Sequence, residues 1–216
     1  MKRLIIITTS LVFVLCAGAR IWAQSDYTSK LIGELKDKNA YVRIRAAREL
    51  GRARDPLSIE FLIDALKDEH PRVRIFAART LGKIGDSMAV KPLIITLKDE
   101  DKWVRMFAVD ALGRIEGPRT IECLIGVLKD EEPGMKSRAA RSLGKLGDTR
   151  AVEPLFTAIS DKNEHVRKSA ALALAEMGDT RAVPTLKDLL LQEKEKEVQA
   201  EILKMLKKLS PNKQGN

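Results

Sequence analysis

The sequence repeats itself every 31 residues, and this periodicity restricts the possible folds more than any other feature. An aliphatic residue stands at six positions with that spacing: Leu35, Leu66, Leu97, Leu128, Ile159 and Leu190. A second leucine column starts at Leu31, and further columns of aspartate, alanine and leucine run through five units. So many coincident columns predict a stack of equivalent units rather than one irregular core.

Each unit has the helix signals of a hairpin. Prolines at the first helical position and side chains that cap helix N-termini are expected at Pro71, Pro133, Asn39, Asp101 and Asn163. We interpret the glycines as helix ends, chiefly Gly85, Gly147 and Gly178, each followed by an aspartate that caps the next helix. Pro92 and Pro154 fall inside the predicted first helices, where a bend or a delayed start is expected.

A single hairpin cannot bury its apolar stripe, whereas stacked hairpins share a continuous core. The low aromatic content of 4% and the abundance of Leu and Ala agree with helices throughout. The predicted fold class is therefore all-α, an α-solenoid of about five to six hairpins. The predicted units are residues 28–55, 56–86, 87–117, 118–148, 149–179 and 180–210.

The unit resembles a known family. Residues 151–179, AVEPLFTAISDKNEHVRKSAALALAEMGD, follow the pattern AVxPLxxALKDxxxxVRxxAAxxLGxIGD almost throughout. This is similar to the HEAT-like repeat first named from phycobilisome lyases, and the resemblance covers essentially residues 24–216. It implies a curved stack whose second helices line the concave side, and a function as a scaffold that binds other proteins.

An aspartate stands six residues before a basic residue in five units. The pairs are Asp37/Arg43, Asp68/Arg74, Asp99/Arg105, Asp130/Lys136 and Asp161/Arg167. This spacing resembles the Asp–Arg ladder of HEAT proteins, which implies charge-assisted hydrogen bonds between adjacent repeats. A stack distributes these groups along its axis, so we expect a structural role rather than catalysis.

Helical phase predicts which residues of the second helices face a partner. Val42, Ala46 and Leu50 define the buried side of the first unit, which places positions 41, 44, 48 and 52 opposite. Apolar or aromatic residues beside arginines in these columns are typical of a protein-binding surface. The predicted binding residues are Tyr41, Ile44, Arg48, Arg72, Ile75, Arg79, Lys83, Trp103, Met106 and Arg114. Alternatively, Phe76 and Phe107 pack between repeats and the cations only keep the surface soluble.

Residues 1–23 have the features of a secretory signal peptide. Lys2 and Arg3 precede an apolar run over residues 4–16, which is shorter than the roughly 20 residues of a spanning helix. Cleavage after Ala23 is expected, with Ala19 as a second position; a lipoprotein cut before Cys16 and an uncleaved anchor are alternatives. Each of them predicts export, to the periplasm or envelope of a bacterium, and residues 24–216 form the predicted single repeat domain.

The charge and the cysteine content limit the partners. Removal of residues 1–23 lowers the formal charge from +9 to +6 and leaves Cys123 as the only cysteine, which we expect to be a small buried side chain or, less favoured, an intermolecular thiol. An exported basic protein suits an acidic protein rather than nucleic acid. Anionic lipid or glycan is the alternative, bound by a basic edge and the lysine-rich last helix; the edge comprises Arg52, Lys83, Arg114 and Lys145.

The residues offer no catalytic constellation. His70 and His165 occupy different repeat columns about three units apart, too far to share a metal ion. No Ser-His-Asp arrangement and no phosphate-binding loop can be assembled. Relatives of this repeat include bilin lyases and an iron-dependent hydroxylase, but the residues predict a protein that is not an enzyme and has no cofactor or metal. The sequence does not indicate its oligomeric state.

Overall fold

The computed structural model describes residues 26–192 and 196–210, which form helices and turns without a strand among them. Within these ranges, twelve α-helices pair into six hairpins: α1 (residues 26–34) with α2 (Ala40–Ala53), α3 (Ile59–Ala65) with α4 (Pro71–Ile84), α5 (Val90–Thr96) with α6 (Lys102–Leu112), α7 (Pro118–Val127) with α8 (Pro133–Leu146), α9 (Val152–Ala158) with α10 (Glu164–Glu176), and α11 (Val183–Gln192) with α12 (Lys196–Leu209). The predicted all-α solenoid is confirmed. The predicted signal peptide lies outside the described residues.

The helix boundaries follow from the capping residues. The side chains of Asn39, Asp101 and Asn163 accept hydrogen bonds from backbone N–H groups of the first turn, as predicted. Gly85 and Gly147 end α4 and α8 with φ of 81° and 67°, in the left-handed region that favours glycine. None of the helices among the described residues has the length and apolar character needed to cross a bilayer.

Four of the first helices begin in two steps. A three-residue 3₁₀ turn, opened by a capping aspartate, precedes α3, α5, α9 and α11: Pro56–Ser58, Ser87–Ala89, Thr149–Ala151 and Thr180–Ala182. Pro92 and Pro154 are consequently the third residues of α5 and α9. A proline there interrupts no intrahelical hydrogen bond, so the expected delayed start is what the structure has, and not a bend within a longer helix.

The leucine columns form the core. The most deeply buried large side chains include one leucine from each of five second helices and one from each of five first helices: Leu50, Leu81, Leu112, Leu143, Leu174, Leu62, Leu93, Leu124, Leu155 and Leu186. They belong to one continuous cluster of buried residues that runs from repeat to repeat. No hairpin therefore has a core of its own, and the stability of each depends on its neighbours.

A glycine column allows the second helices to approach one another closely. A Cβ on Gly82 would lie 2.6 Å from the Cα of Ala111, and one on Gly144 would lie 2.6 Å from the Cα of Ala173. Gly51 and Gly113 occupy the equivalent positions against Thr80 and Ser142. The interpretation of the glycines as helix ends misses this contact, although the 31-residue spacing was visible.

The close approach is confined to one layer of the stack. The second helices from α2 to α10 make their most extensive interhelical contacts with one another, whereas neighbouring first helices make few. A two-layer stack that is tighter on one side curves toward that side. The exposed side chains of the second helices are therefore called the concave face below, and the surface of the first helices the outer face.

Candidate functional site

The Asp–Arg ladder joins each repeat to the next. Arg43 lies in α2, and its guanidinium donates from Nε and Nη2 to the Asp68 carboxylate of the second repeat, at 2.7 and 2.9 Å. Its Nη1 donates to the backbone carbonyl of Asp37 at 2.9 Å, within its own repeat. Arg74 repeats both contacts one unit later, with Asp99 at 2.8 Å and the carbonyl of Asp68 at 2.9 Å.

The aspartates of the ladder also shape the turns. Asp68 Oδ1 accepts from the N–H of His70, and Asp99, Asp130 and Asp161 accept from the N–H two residues later in the same way. One carboxylate therefore fixes the turn of its own repeat and binds the cation of the preceding repeat. The Asp and Arg that stand six residues apart do not pair through their side chains, because the arginine reaches the carbonyl of that aspartate.

The acidic partner of the ladder changes at the fourth repeat. Arg105 forms its ion pair with Glu132, while the Asp130 carboxylate accepts from the N–H of Glu132 in its own turn. Lys136 continues the ladder to Asp161, and Arg167 donates to the carbonyls of Asp161 and Lys162. The column pattern alone did not predict the exchange from Asp130 to Glu132.

A second set of ion pairs lies on the outer face and was not predicted. Arg181 Nη1 lies 2.7 Å from Glu153, and Arg150 Nη1 lies 3.8 Å from Glu122, so first helices of adjacent repeats are linked. Each arginine also pairs with the aspartate two residues before it, Asp148 or Asp179. The sequence indicates these pairs by two further columns with the 31-residue spacing, Glu122 with Glu153 and Arg150 with Arg181.

These contacts stabilise the charged form of several carboxyl groups. The hydrogen bond from the Arg150 side chain, together with its backbone N–H, lowers the pKa of Asp148 to about 2. The hydrogen bond from Arg181 lowers the pKa of Asp179. Burial acts to raise the pKa of Asp161, but the hydrogen bonds from Lys136 and the Asn163 N–H and the nearby cations outweigh it, so that this pKa is also lowered.

The fold should therefore lose stability in acid. A carboxyl whose pKa is lower in the folded than in the unfolded chain stabilises the fold above its unfolded pKa, about 4, and loses that contribution as the pH falls through the folded value. We expect the thermal midpoint, measured by circular dichroism, to be steady from pH 7 to 5 and to fall toward pH 2. Asp148→Asn should show a shallower fall; an equally steep fall would contradict the assignment for Asp148.

Two of the predicted binding residues are exposed aromatic side chains on second helices. Tyr41 and Trp103 stand at the first turns of α2 and α6 and are 76% and 49% exposed. Arg48, Arg72, Arg79 and Arg114 are exposed on the same layer of helices, while Lys83, Ile75 and Met106 are half-buried. These residues therefore lie within or just after three consecutive second helices, and their side chains are exposed or half-buried.

Ile44 is the exception among the predicted binding residues. Its side chain is only 9% exposed and belongs to the core cluster, so its prediction as a partner-facing residue is wrong. The helical phase placed position 44 opposite the core, but α4 of the next repeat packs against α2, and phase within one helix does not include such a neighbour. Val42, predicted as buried, is only half-buried.

An arginine–aromatic stack crosses the concave face at repeats two to four. The Arg79 guanidinium lies 5.5 Å from the ring centre of Phe76 and 5.4 Å from that of Phe107. Arg138 approaches the same Phe107 ring and pairs with Asp110. Both phenylalanines are half-buried, which agrees with the alternative that they pack between repeats. Their faces hold Arg79 in place beside Ile75 and Lys83.

A basic cavity of about 440 Å³ lies on the concave face of the C-terminal half. Its lining comes from α8, α10 and α12 and comprises Ser137, Arg141, Lys145, His165, Lys168, Ser169, Leu172, Ala173, Glu176 and Met205. The predicted binding residues lie in the first three repeats, so this cavity was missed. The cavity could have been suspected from the sequence, because the column of Arg48 and Arg79 has a further arginine, Arg141, after Asp110.

The predicted basic edge is only partly free to bind an anion. Arg52 is paired with Glu49 at 2.8 Å, whereas Arg114 and Lys145 are exposed.

The two histidines have separate places in the structure. His70 caps α4 by accepting the N–H of Arg72 at Nδ1, and His165 lines the basic cavity. Among the described residues, no group of three His, Cys, Asp or Glu side chains is arranged to hold a metal ion. Burial raises the pKa of the half-buried Cys123 thiol.

Taken together, the stacked hairpins, the ladder and the open concave face define a helical-repeat solenoid. The family model for HEAT repeats matches residues 28–97, 77–135 and 124–207, and this chain belongs to that family. No curated protein matched the sequence.

Solved structures of similar fold support this assignment. The complex of CpcE and CpcF of phycocyanin lyase from Nostoc sp. PCC7120 matches with a TM-score of 0.60 and 21% identity over 85% of this chain and 94% of that chain. A designed armadillo repeat protein matches with a TM-score of 0.54 and 20% identity over 84% and 99%. A computationally designed armadillo protein for modular peptide recognition matches with a TM-score of 0.51 and 18% identity over 84% and 99%. At these identities the likeness concerns the fold.

Proposed function

We propose that this protein is a non-enzymatic scaffold that binds a protein partner on its concave face. The observation that carries the proposal is the exposure of Tyr41 and Trp103 on α2 and α6, the helices that flank α4 with its Arg79 stack. An aromatic ring exposed to water is unfavourably hydrated and does not stabilise the core. Aromatic and arginine side chains are, however, enriched where proteins bind one another. The fold of designed repeat proteins for peptide recognition supports the same use of such a surface.

The charge of the concave face suggests an acidic partner segment. Arg141, Lys145 and Lys168 line the cavity of the C-terminal half together with a single carboxylate, Glu176. Arg72, Arg79 and Arg114 extend the positive charge toward the N-terminal half. A partner that places an apolar anchor near Trp103 and acidic residues over the cavity would complement both regions. Anionic glycan or lipid headgroups are the alternative ligand for the cations.

We also propose that the protein acts in the envelope of a bacterium, which rests on the sequence of residues 1–23. The charged start, the short apolar run and the small residue at Ala23 support secretion and cleavage. N-terminal sequencing of the protein recovered from the envelope fraction should begin at Gln24. A protein that retains Met1 and stays in the cytoplasm would contradict this.

Affinity capture tests the binding surface. The protein and the variant Tyr41→Ala/Trp103→Ala are used as baits in envelope extracts, and a partner retained by the first should be reduced at least tenfold with the second, since hot-spot aromatics contribute about 2 kcal/mol or more each. Phe156→Ala/Leu191→Ala is the matched control, because it truncates large exposed side chains away from the concave face and should leave capture unchanged.

The salt dependence of capture separates the alternatives. Binding held by desolvated aromatic anchors should persist when the salt concentration is raised, whereas binding of a polyanion by exposed cations weakens steeply. Equal capture by both double variants, or retention of lipid or glycan only at low salt, would contradict the proposed function.

A further inference from the structure

A groove on the outer face is not explained by the proposed function. It lies between α3 and α5, on the layer of first helices, and has a volume of about 500 Å³. Ile63, Leu66, Pro92 and Ile95 supply its apolar walls, and Ile95 is 65% exposed. This volume is in the range of sites that take small molecules.

The groove combines this apolar lining with uncompensated positive charge. Lys67, Lys91 and Lys98 line it and are exposed, and within the described part of the chain none of them forms an ion pair. The acidic residue of the lining is Asp99, whose carboxylate accepts from Arg74 at 2.8 Å and from the N–H of Asp101. Its charge is therefore already neutralised by the ladder, and three ammonium groups remain at the groove.

Two repeat columns break their pattern at this groove. The column of Lys91 holds Glu60, Glu122 and Glu153 in three other repeats and Ser29 and Pro184 in the end repeats, and the column of Ile95 holds Gly33, Asp64, Gly126, Thr157 and Asp188. The fold therefore requires neither a cation at position 91 nor a large apolar side chain at position 95. Both changes favour an apolar, negatively charged ligand. Lys91 also removes the acid that, as Glu122 or Glu153, pairs with an arginine of the next repeat.

We propose that this groove binds a single-chain amphiphile with an anionic head, a fatty-acid-type carboxylate or an alkyl phosphate. The chain would lie against Ile63, Leu66 and Ile95, where it is removed from water, and the head would contact the ammonium groups of Lys91 and its neighbours. The same charges disfavour the apolar run of this chain, residues 4–16, because Lys2 and Arg3 precede it. The site is independent of the concave face.

Calorimetric titration with dodecanoate, below its micelle concentration, tests the proposal. The informative variant is Lys91→Glu/Ile95→Asp, since each new residue stands at the equivalent position of another repeat and is compatible with the fold. Binding should weaken at least tenfold in this variant. Lys187→Glu/Leu191→Asp makes the same change in charge and hydrophobicity on α11, at exposed positions with the same spacing, and should keep dodecanoate affinity within twofold.

Three further probes separate possible ligands. If the groove accepts both head groups, dodecyl phosphate and dodecanoate should bind with similar affinity. If their affinities differ, the tighter ligand has the preferred head group, phosphate or carboxylate. Dodecyl maltoside, which has the same chain without the charge, should bind at least tenfold more weakly. Equal affinity for dodecyl maltoside, equal dodecanoate binding by the Lys91→Glu/Ile95→Asp variant, or binding only to vesicles of phosphatidylglycerol and phosphatidylcholine would overturn the proposal.

Discussion

Arg74→Met is expected to lower the free energy of unfolding by about 3–5 kcal/mol, the range for removal of one partner from a buried ion pair. The side chains of Arg74 and Asp99 are only 8% and 11% exposed, so the remaining carboxylate cannot regain full hydration. The substitution also leaves the backbone carbonyls of Asp68 and Glu69 without their donor. Urea unfolding followed by circular dichroism measures the loss.

Arg72→Met is the matched control for this change. Arg72 lies two residues away on the same helix and is exposed, so the same substitution removes the same charge without breaking the ladder. Its effect should stay within about 0.5 kcal/mol. Similar losses for the two variants would show that charge in general, and not the contact between repeats, determines the result.

Gly82→Leu is expected to destabilise the fold by about 3 kcal/mol, the upper part of the usual range for an overpacked contact. A Cβ at this position would lie 2.6 Å from the Cα of Ala111 and 2.9 Å from its Cβ, so α4 and α6 must separate to accept any side chain. Because each repeat is stabilised by its neighbours, the separation should reduce the cooperativity of unfolding as well.

Gly126→Leu is the control, the same substitution at a glycine within a helix that is not closely packed, and it should not destabilise the fold. Gly126 lies within α7, and a Cβ there would meet no atom within 4 Å. Leucine is a better helix former than glycine by about 0.5–1 kcal/mol, so this variant should be slightly more stable than the original chain. A loss of stability in both variants would contradict the assignment of the glycine column to close packing.

The repeat made the fold predictable because every unit reports the same structure again. Leu50 and its equivalents identify the core, and Asn39, Pro71 and Gly85 identify helix ends, independently of any single position. The two-step start of the first helices was only partly predicted, since a 3₁₀ turn and an α-helix share similar local signals.

The surface was less predictable, because it depends on what neighbouring repeats cover. Phase within one helix places Ile44 opposite the core, but phase does not include the adjacent helices that bury it. The same limit applies to the ladder: spacing within a repeat identified Arg105, yet its carboxylate partner lies 27 positions away and is Glu132.

The basic cavity and the groove on the outer face were missed for a different reason. A cavity between repeats is formed by side chains of separate units, so it is visible only when the columns are compared at one place in the stack. Lys91 and Ile95 differ from their columns, and that difference has a meaning only when both are seen to line the same groove. In a repeat protein, departures from the column identify candidate sites, whereas agreement with the column identifies the fold.

The most direct test of the proposed function is site-specific photo-crosslinking in intact cells. A photoreactive phenylalanine derivative is placed at Tyr41, at Trp103 and, as a control, at the partly exposed Phe156 outside the concave face. If the concave face binds a protein, the derivatives at positions 41 and 103 should crosslink to the same partner, and the derivative at position 156 should not. No protein adduct from positions 41 and 103, or the same adducts from all three, would contradict the assignment of the concave face as the binding surface.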